Sequence, residues 1–532
     1  MRRQSFLQGA MTLATAGLIS RALGAVYRIP LTRVLGDEGM GLFQMAHPVY
    51  AAILAISTVG INVAISKLVA GHLAQGKAGA ARRTFHISLA LMGTLGLLSS
   101  VLMFFSARFI AVHVAHNADA YYAIVALSPA VLIVSVASAM RGYFQGQQIM
   151  MPTAISQVAE QVIRVLTMLL LAHYLLRISL PMAAAGATFG ASAGAVAGLI
   201  ALLAIFYSKR GASPLLGPRP LPVEPSASQI TMSILRLAVP ISLAGTVVSV
   251  MNLIDLVVVP NRLIAIGFTP TDATRLYGQL TGMALTLVNM PTVFTSALQA
   301  SLVPSVSEAQ ALNDRASIQA RATTAIRITL LIAIPATVGL YLLATPIADL
   351  LFGIPEAGAP IAAMAGGLLF LTLQQTTSGV LQGLGRTDLP VRNLLLGAAC
   401  KLVLSWTLTG MPAFGIRGAA LGTTLGFMVA ASLNLAGVKA LTGAGVAVGD
   451  TLVKPIAATV AMGLAAVGGY RYSFALLGSN GQATLIAIGL AMAAYAFVLL
   501  LIGGLRERDF ELVPRVGPRV ARWLKRKGAF RP

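Results

Sequence analysis

The sequence has few charged residues, which make up 10% of its 532 positions. A soluble globular domain carries about 25%. Hydrophobic residues make up 57% of the chain, and its mean hydropathy is +0.82. Apolar runs long enough to cross a hydrocarbon core of about 30 Å recur along the whole length. The composition therefore predicts a polytopic membrane protein.

Cysteine is also scarce, since Cys400 is the single one in the chain. One thiol excludes an intramolecular disulfide framework and a cysteine-based metal cluster. His113 and His116 have a metal-like spacing but lack a third ligand nearby in the sequence, so we predict no metal site. We also expect no cofactor and no enzyme activity, because the sequence contains no nucleotide-binding loop, kinase signature or paired nucleophile and base. These absences favour a transporter driven by an ion gradient or by the membrane potential.

Acidic residues are less than half as frequent as basic ones, 16 against 38, which gives a net charge of +22. In a soluble protein this excess would suggest nucleic acid as a partner. Here most lysines and arginines fall in alternate loops and in the tail, as the positive-inside rule requires of cytoplasmic segments. We therefore expect a bacterial plasma-membrane protein with both termini in the cytoplasm, a basic tail on anionic lipids, and no nucleic-acid partner.

The apolar runs predict an all-α fold of about fourteen transmembrane helices, the first of them an uncleaved helix. Long apolar runs favour helices over the short alternating strands of a barrel. The predicted spans cover residues 6–27, 43–66, 85–107, 121–140, 153–176, 182–207, 234–259, 276–303, 324–345, 359–381, 391–410, 415–438, 452–470 and 482–504.

Two pairs of similar stretches indicate that the chain contains a duplication. "GYFQGQQIMMP" after span four resembles "GVLQGLGRTDLP" after span ten, and "GATFGASAG" in span six resembles "GAALGTTLG" in span twelve. Both pairs keep their order at an offset of about 232 to 238 residues, which indicates two parallel copies of six spans around a central cavity. The predicted parts are an N-terminal lobe (1–207), a cytoplasmic linker (208–230), a C-terminal lobe (231–440), two extra spans (441–504) and a basic tail (505–532).

Three cations lie well inside predicted spans and away from the span ends, namely Arg21, Arg164 and Lys401. A buried cation is costly in a membrane and usually faces the bundle interior or a water-filled cavity. Arg21 and Arg28 are seven residues apart and therefore share a helix face. Arg28 lies near the outer rim, where it either faces the cavity or extends to the interface. A guanidinium group matches a pair of phosphate oxygens.

Other charged residues are candidates for ion coupling or for substrate binding. Glu160 and Arg164 are four apart in span five, which suits a structural ion pair or a coupling pair. Asp255 in span seven is a candidate carrier of H⁺ or Na⁺, or a partner of Arg21. Lys401 either lines the cavity or pairs with Glu160 or Asp255. Arg262 lies after span seven, in the outer vestibule or at the interface.

The stretches "SRALGAVYRIPLTRVLGDEGMGLFQM", "HPVY…GINVAISKLVA", "RGYFQGQQIMMP" and "LQGLGRTDLPVRN" together resemble the multidrug/oligosaccharidyl-lipid/polysaccharide exporter superfamily. The resemblance spans helices one to twelve. It is greatest to the polysaccharide-exporter branch, which includes stage V sporulation protein B and its lipid II flippase relatives.

That resemblance implies two six-helix lobes around a V-shaped cavity that opens alternately to each side. It also implies a polyprenyl-pyrophosphate-linked saccharide, such as lipid II, as cargo. The Ser-Arg…Arg pattern of lipid II flippases is matched by Ser20, Arg21 and Arg28 with one extra residue between the arginines. The family's cavity arginines on helices two and eight have no counterpart here, which leaves Arg262, Arg164 and Lys401 as candidates. Two other hypotheses are a cation-coupled multidrug antiporter and a non-transporting envelope or sporulation scaffold.

Overall fold

The computed structural model describes residues 6–208, 226–445 and 448–504, which are helical apart from short connections and contain no β-strand. The predicted linker (208–230) falls largely outside these residues, and the whole predicted tail (505–532) lies outside them. The helices are α1 (Phe6–Val26), α2 (Arg28–Leu54), α3 (Gly60–Ala74), α4 (Ala78–Phe109), α5 (Ala120–Gly146), α6 (Met151–Leu175), α7 (Leu180–Ser208), α8 (Ala227–Ala265), α9 (Pro270–Gly278), α10 (Leu285–Asn289), α11 (Thr292–Ala311), α12 (Arg315–Leu342), α13 (Ala344–Phe352), α14 (Gly358–Gly383), α15 (Asp388–Thr409), α16 (Ile416–Thr442), α17 (Lys454–Leu477) and α18 (Asn480–Leu501).

The predicted all-α membrane fold is confirmed, and each of the fourteen predicted spans falls on a helix or on a run of helices. Twelve helices in the described part are long and apolar enough to cross a membrane. Two features account for the lower number. The first two spans run together as one segment, Thr15–Ala74, and span eight is divided into α9, a π-helical turn (Gln279–Ala284), α10 and α11.

The junction of α1 and α2 has a cause in the sequence. Pro30 has no N–H group, so the carbonyl of Val26 lacks its usual partner four residues ahead, and α1 ends there. A second bend lies inside α2 at Gly36, whose φ of 68° is in the region that favours glycine. Arg28 therefore begins a new helix, whereas the shared helix face predicted for Arg21 and Arg28 assumed one continuous helix.

By packing, the chain divides into a first unit, Met1–Gly282, and a second unit, Met283–Pro532. The first unit contains α1 to α9, so two helices from the second predicted repeat pack with the first. Gly60 of α3 lies directly against the carbonyl of Ala238 in α8, and Gly41 of α2 lies against the carbonyl of Thr274 in α9. The absence of side chains at these glycines allows the helix backbones to touch.

Glycine contacts of the same kind recur in the two units and confirm the predicted duplication. A methyl group added to Gly146 of α5 would lie 2.7 Å from Cβ of Val69 in α3. A methyl group added to Gly383 of α14 would lie 2.7 Å from Cβ of Val306 in α11. Both glycines and both valines are separated by 237 residues. The pair α3 and α5 is thus repeated by α11 and α14.

The next two helices of each repeat pack through the two glycine-rich stretches. A methyl group on Gly194 of α7 would lie 2.8 Å from Cβ of Arg164 in α6, and one on Gly426 of α16 would lie 2.9 Å from Cβ of Lys401 in α15. Arg164 and Lys401 are again 237 residues apart, whereas the glycines are 232 apart. These two cations therefore occupy equivalent positions in the two repeats.

The added helices α17 and α18 pack against each other, and two cations of the second unit donate to the carbonyls that follow the end of α18. Arg327 of α12 donates to the carbonyl of Gly504 at 2.7 Å, and Lys454 donates to that of Gly503 at 3.1 Å. Cations at a helix C-terminus satisfy its free carbonyls and complement its dipole. Arg327 is therefore a helix cap.

Replacing Gly194 or its repeat partner Gly426 by Ala should destabilise the protein, by about 1–3 kcal/mol each. The added methyl group would lie 2.5 Å from the carbonyl oxygen of Glu160 or 2.8 Å from that of Gly397. The measurement is unfolding of the purified protein in detergent. Gly93→Ala is the matched control, since no atom lies within 4 Å of its added methyl group. Equal stability of all three variants would contradict the close packing.

Candidate functional site

Glu160 lies at the centre of an ion cluster in the first unit. Arg164, one turn further along α6, donates from Nη2 to Glu160 Oε1 at 2.5 Å. Arg141 of α5 donates from Nη2 to Glu160 Oε2 at 2.7 Å, and its Nε donates to Ser156 Oγ at 2.9 Å. The three charged side chains are 12–24% exposed. One carboxylate therefore binds two guanidinium groups where water has little access, and such charge-assisted hydrogen bonds are strong.

The glycine stripe of α7 leaves room for this cluster. Gly194 packs on the backbone of Glu160 and on Cβ of Arg164, and a methyl group on Gly198 would lie 3.4 Å from Nη2 of Arg141. Because these positions lack side chains, α7 lies directly against α6. Arg141 of α5 reaches Glu160 beside these glycines.

Helix α2 brings further polar groups to the same place. His47 lies on α2 with Nδ1 3.0 Å from the carbonyl of Phe43, and the positive charges of Arg28 and Arg164 both act on its ring. Tyr50, one turn further along, is buried and lies within the field of Arg141, Glu160 and Arg164. We call Arg28, His47, Arg141, Glu160 and Arg164 the ion cluster.

The ion cluster carries more positive than negative charge. It holds three arginines and one carboxylate, and Arg164 Nε is buried without a hydrogen-bond acceptor in the part of the chain that the structure describes. A buried donor of this kind is costly unless a ligand or water accepts from it. The geometry therefore suits binding of an anion with several oxygen atoms, such as a phosphate group.

The structure brings two of the predicted residues into contact, Glu160 and Arg164. Arg28 lies at the start of α2, where its charge acts on His47, and the others lie elsewhere. Arg21 lies on α1, and its side chain is outside the described part of the structure. Arg262 is in the last turn of α8. Lys401 is 2% exposed and belongs to the second unit.

Asp255 is 3% exposed on α8, within the first unit. Its charge acts on Tyr277 of α9, whose side chain is fully buried. A carboxylate at this depth is the kind of group that carries ions through membrane transporters. Its position agrees with the predicted coupling role, which stays a prediction.

Sequence reasoning missed the contribution of Arg141. Its position near the end of span four made it look like one of the basic residues that set topology. The structure places its guanidinium group on Glu160, which is 19 residues away in the chain. The stretch "RGYFQG" gives no sign of this contact, because only the packing of α5 against α6 and α7 creates it.

The second unit has no such cluster at the equivalent position among its described residues. With an offset of 237 residues, Arg141, Glu160 and Arg164 correspond to Ser378, Gly397 and Lys401. Buried amides and hydroxyls interact there instead. The hydrogen bonds run from Asn393 to Asn434 at 2.9 Å, from Asn434 to Ser378 at 3.0 Å and from Gln374 to Ser378 at 3.2 Å.

Comparison with known proteins gives consistent similarities. Residues 6–310 match the family model described as polysaccharide biosynthesis protein, and residues 280–407 match the MatE model. Stage V sporulation protein B of Bacillus subtilis (strain 168) is 30% identical, over 98% of this chain and 100% of that protein.

Two further similarities concern lipid II flippases. Lipid II flippase MurJ of the same organism is 28% identical over 79% of this chain and 80% of that protein. A solved structure of lipid II flippase MurJ in an inward closed conformation superimposes with a TM-score of 0.70 and 16% identity, and covers 92% of this chain and 98% of that one. At 16% identity this likeness concerns the fold.

Replacing Glu160 by Gln should lower the free energy of unfolding by about 2–5 kcal/mol, because two guanidinium groups would stay buried without their carboxylate. Denaturant titration of the purified protein measures this. Adding Arg141→Gln to the variant should restore part of the loss.

The matched control is Asp388→Asn, which removes an exposed carboxylate. Its Oδ2 lies 3.1 Å from Nη2 of Arg386. Exposed pairs contribute little to stability. If both variants lose the same small amount, Glu160 does not hold the cluster together.

Proposed function

The chain belongs to the polysaccharide biosynthesis protein family of the multidrug/oligosaccharidyl-lipid/polysaccharide exporter superfamily, and we propose that it is a flippase for a polyprenyl-pyrophosphate-linked cell-wall precursor. Its cargo would be an amphiphile of the lipid II kind, whose headgroup crosses the membrane while its tail stays in lipid. The observation that carries this proposal is the excess positive charge of the ion cluster inside a membrane domain.

Pyrophosphate supplies the negative charge that would balance the excess positive charge of the ion cluster. It offers several negatively charged oxygens, which guanidinium groups bind in pairs. We propose that Arg28 and Arg164 contact the pyrophosphate, with Arg141 held beside them by Glu160 and Ser156. Arg21, Arg262 and Lys401 are proposed as further contacts along the path. This arrangement would replace the helix-two and helix-eight arginines that are missing from this sequence.

We further propose that Asp255 couples transport to Na⁺ or H⁺. Glu160 is the less suitable carrier, because protonation would break charge-assisted hydrogen bonds to both Arg141 and Arg164. Asp255 is buried on a different helix and lies outside that pair of ion bridges. A gradient acting on Asp255 would bias the cycle between states that open to opposite sides of a bacterial plasma membrane.

The similarity of residues 280–407 to the MatE model favours a second candidate function, a cation-coupled multidrug antiporter. Such a protein binds organic cations, which need carboxylates or aromatic faces. The ion cluster has the opposite charge balance, so we favour the anionic lipid. A third hypothesis, a non-transporting scaffold for the envelope or the spore, predicts that the arginines have no transport phenotype.

The purified protein in lipid vesicles should move a fluorescent polyprenyl-pyrophosphate saccharide between leaflets, as measured by its access to an external quencher. Arg164→Ala should lower the apparent affinity about tenfold or more, since each hydrogen bond to a charged group contributes roughly 1.5–3 kcal/mol. Arg28→Ala should have a similar effect. Arg177→Ala, at an exposed position after α6, is the control and should behave as wild type.

The same proteins should be expressed in a bacterium depleted of its own lipid II flippase. Growth with the wild type and not with Arg164→Ala would support the proposal. Membrane-inserted wild type that neither supports growth nor moves the labelled lipid would overturn it. Export of a cationic dye from lipid vesicles that contain the protein would favour the antiporter. Wild-type activity of both Arg164→Ala and Arg28→Ala would show that the ion cluster does not bind the lipid.

Asp255→Asn should bind the labelled lipid with unchanged affinity but should no longer respond to a gradient, because the amide cannot exchange a proton or hold a cation by charge. Vesicles with imposed Na⁺ or pH gradients measure this. A variant that retains the full gradient response would exclude Asp255 as the coupling group.

A further inference from the structure

A threonine and three glutamines form a row of polar side chains between α11 and α14 in the second unit. Thr295 of α11 donates from Oγ1 to Oε1 of Gln375 on α14 at 2.6 Å. One turn further along α11, Gln299 donates from Nε2 to Oε1 of Gln382 at 3.4 Å. We call Thr295, Gln299, Gln375 and Gln382 the amide row.

Gly379 holds the two bonded pairs together. It lies on α14 between Gln375 and Gln382, about one turn from each. A methyl group added to Gly379 would lie 2.9 Å from Cγ and 3.2 Å from Cα of Gln299. The two helices are therefore close at this point, and the side chain of Gln299 lies against Gly379. Because Thr295 and Gln299 are four residues apart on one face of α11, the amide row follows a single seam between the helices.

The hydrogen bonds within the amide row leave one amide atom of each glutamine open. Gln299 Oε1, Gln375 Nε2 and Gln382 Nε2 make no hydrogen bond in the part of the chain that the structure describes, and none of them is enclosed by protein. From Gln374 to Gly383 of α14, Gln375 and Gln382 are half-buried and every other residue is buried. The amide row therefore presents one acceptor and two donor groups at an open edge of the helix pair.

The surface of α11 beside the amide row is not of the kind that faces lipid. Between Ala297 and Glu308 the exposed residues of α11 are alanine, serine, proline and glutamate, with no large apolar side chain among them. By contrast, α15 exposes large apolar side chains such as Leu402, Val403 and Trp406. An open amide in hydrocarbon would have no hydrogen-bond partner. The amide row is therefore placed to meet water or a polar ligand.

The chemistry of the amide row suits a neutral ligand with many hydroxyl groups. Helix α14 contains no charged residue, and the one in α11 is Glu308, about 13 Å beyond Gln299 along the helix. A phosphate group is bound most strongly by cations, and an organic cation needs a carboxylate or an aromatic face. Sugar hydroxyls both donate and accept hydrogen bonds, as a hydroxyl side chain does, and so match amides that offer both kinds of partner.

The first repeat packs the corresponding helices without glutamine at one of these positions. Ser138 and Thr58 are the counterparts of Gln375 and Thr295, each 237 residues earlier. Thr58 donates within its own helix, to the carbonyl of Leu54 at 2.6 Å. This is a usual way for threonine to satisfy its hydroxyl in a helix. The helix pair thus forms without an amide at the position of Gln375, so packing alone does not account for that residue.

We propose that the amide row binds the saccharide of the cargo, with Gln375 and Gln382 donating from Nε2 to sugar hydroxyls and Gln299 accepting at Oε1. This inference rests on the proposed function, because the saccharide is the neutral, hydroxyl-rich part of a polyprenyl-pyrophosphate-linked lipid. A site that hydrogen-bonds a group of its ligand discriminates strongly against a ligand that lacks the group. The amide row would therefore select lipids that carry a sugar, whereas the ion cluster recognises the pyrophosphate that all of them share.

The test compares two labelled lipids that bind to the purified full chain in detergent, a polyprenyl pyrophosphate carrying a disaccharide and the same lipid without the sugar. The wild type should bind the first lipid about tenfold more tightly or better. Gln299→Leu combined with Gln375→Leu should weaken binding of the first lipid by about that factor and leave binding of the second unchanged.

The matched control is Thr407→Val, which removes an exposed hydroxyl of α15 that donates to the carbonyl of Val403 at 2.9 Å. It should bind both lipids as the wild type does. Equal affinity of the wild type for the two lipids would overturn the proposal, whatever the variants show. An equal loss for both lipids in the double variant, or no loss for either, would also overturn it.

The same measurement separates this proposal from the flippase proposal, because binding in detergent needs no transport. A wild type that prefers the sugar-carrying lipid but never moves it between leaflets contradicts the flippase and supports the amide row. A wild type that moves labelled lipid between leaflets but binds both lipids equally contradicts the amide row and supports the flippase.

Discussion

The first unit depends on one carboxylate that holds two guanidinium groups in a membrane domain. Glu160 accepts from Arg164 on its own helix and from Arg141 on α5, and it thereby fixes the relative positions of α5 and α6. Removing charges from water is expensive, and their attraction repays this only with good geometry and satisfied hydrogen bonds. The glycines of α7 and the hydroxyl of Ser156 provide both. What remains is a net positive charge that an anionic ligand would balance.

Because the chain is duplicated, the ion cluster can be compared with the equivalent position in the second repeat. The second repeat keeps the glycine contacts between α15 and α16 and keeps a cation at the equivalent of Arg164, yet it has Gly397 in place of Glu160 and Ser378 in place of Arg141. The backbone arrangement therefore does not need the ions. The carboxylate of Glu160 and the guanidinium of Arg141 are present on one side of the duplication only, which is the pattern expected when a site serves binding.

The two packing units do not coincide with the two sequence repeats. Helices α8 and α9 belong to the second repeat by sequence but pack in the first unit, where Gly41 and Gly60 allow backbone contact with them. Close approach through glycine matters in a membrane because lipid offers no hydrophobic force that pushes helices together. Van der Waals contact between backbones takes over that role, and single methyl groups decide whether it forms.

The sequence by itself determined the all-α membrane fold, the approximate positions of its spans and the duplication. Length and apolarity of a span are local properties, and a repeat is visible as similar letters at a constant offset. It also identified Glu160 with Arg164, since residues four apart in a helix must be neighbours. Only the tertiary structure decided that Arg141 joins them and that Arg327 caps α18. These facts depend on which helices pack together and at what depth in the membrane. Because apolar side chains cover each span along most of its length, the sequence of one span does not specify which helix packs against it.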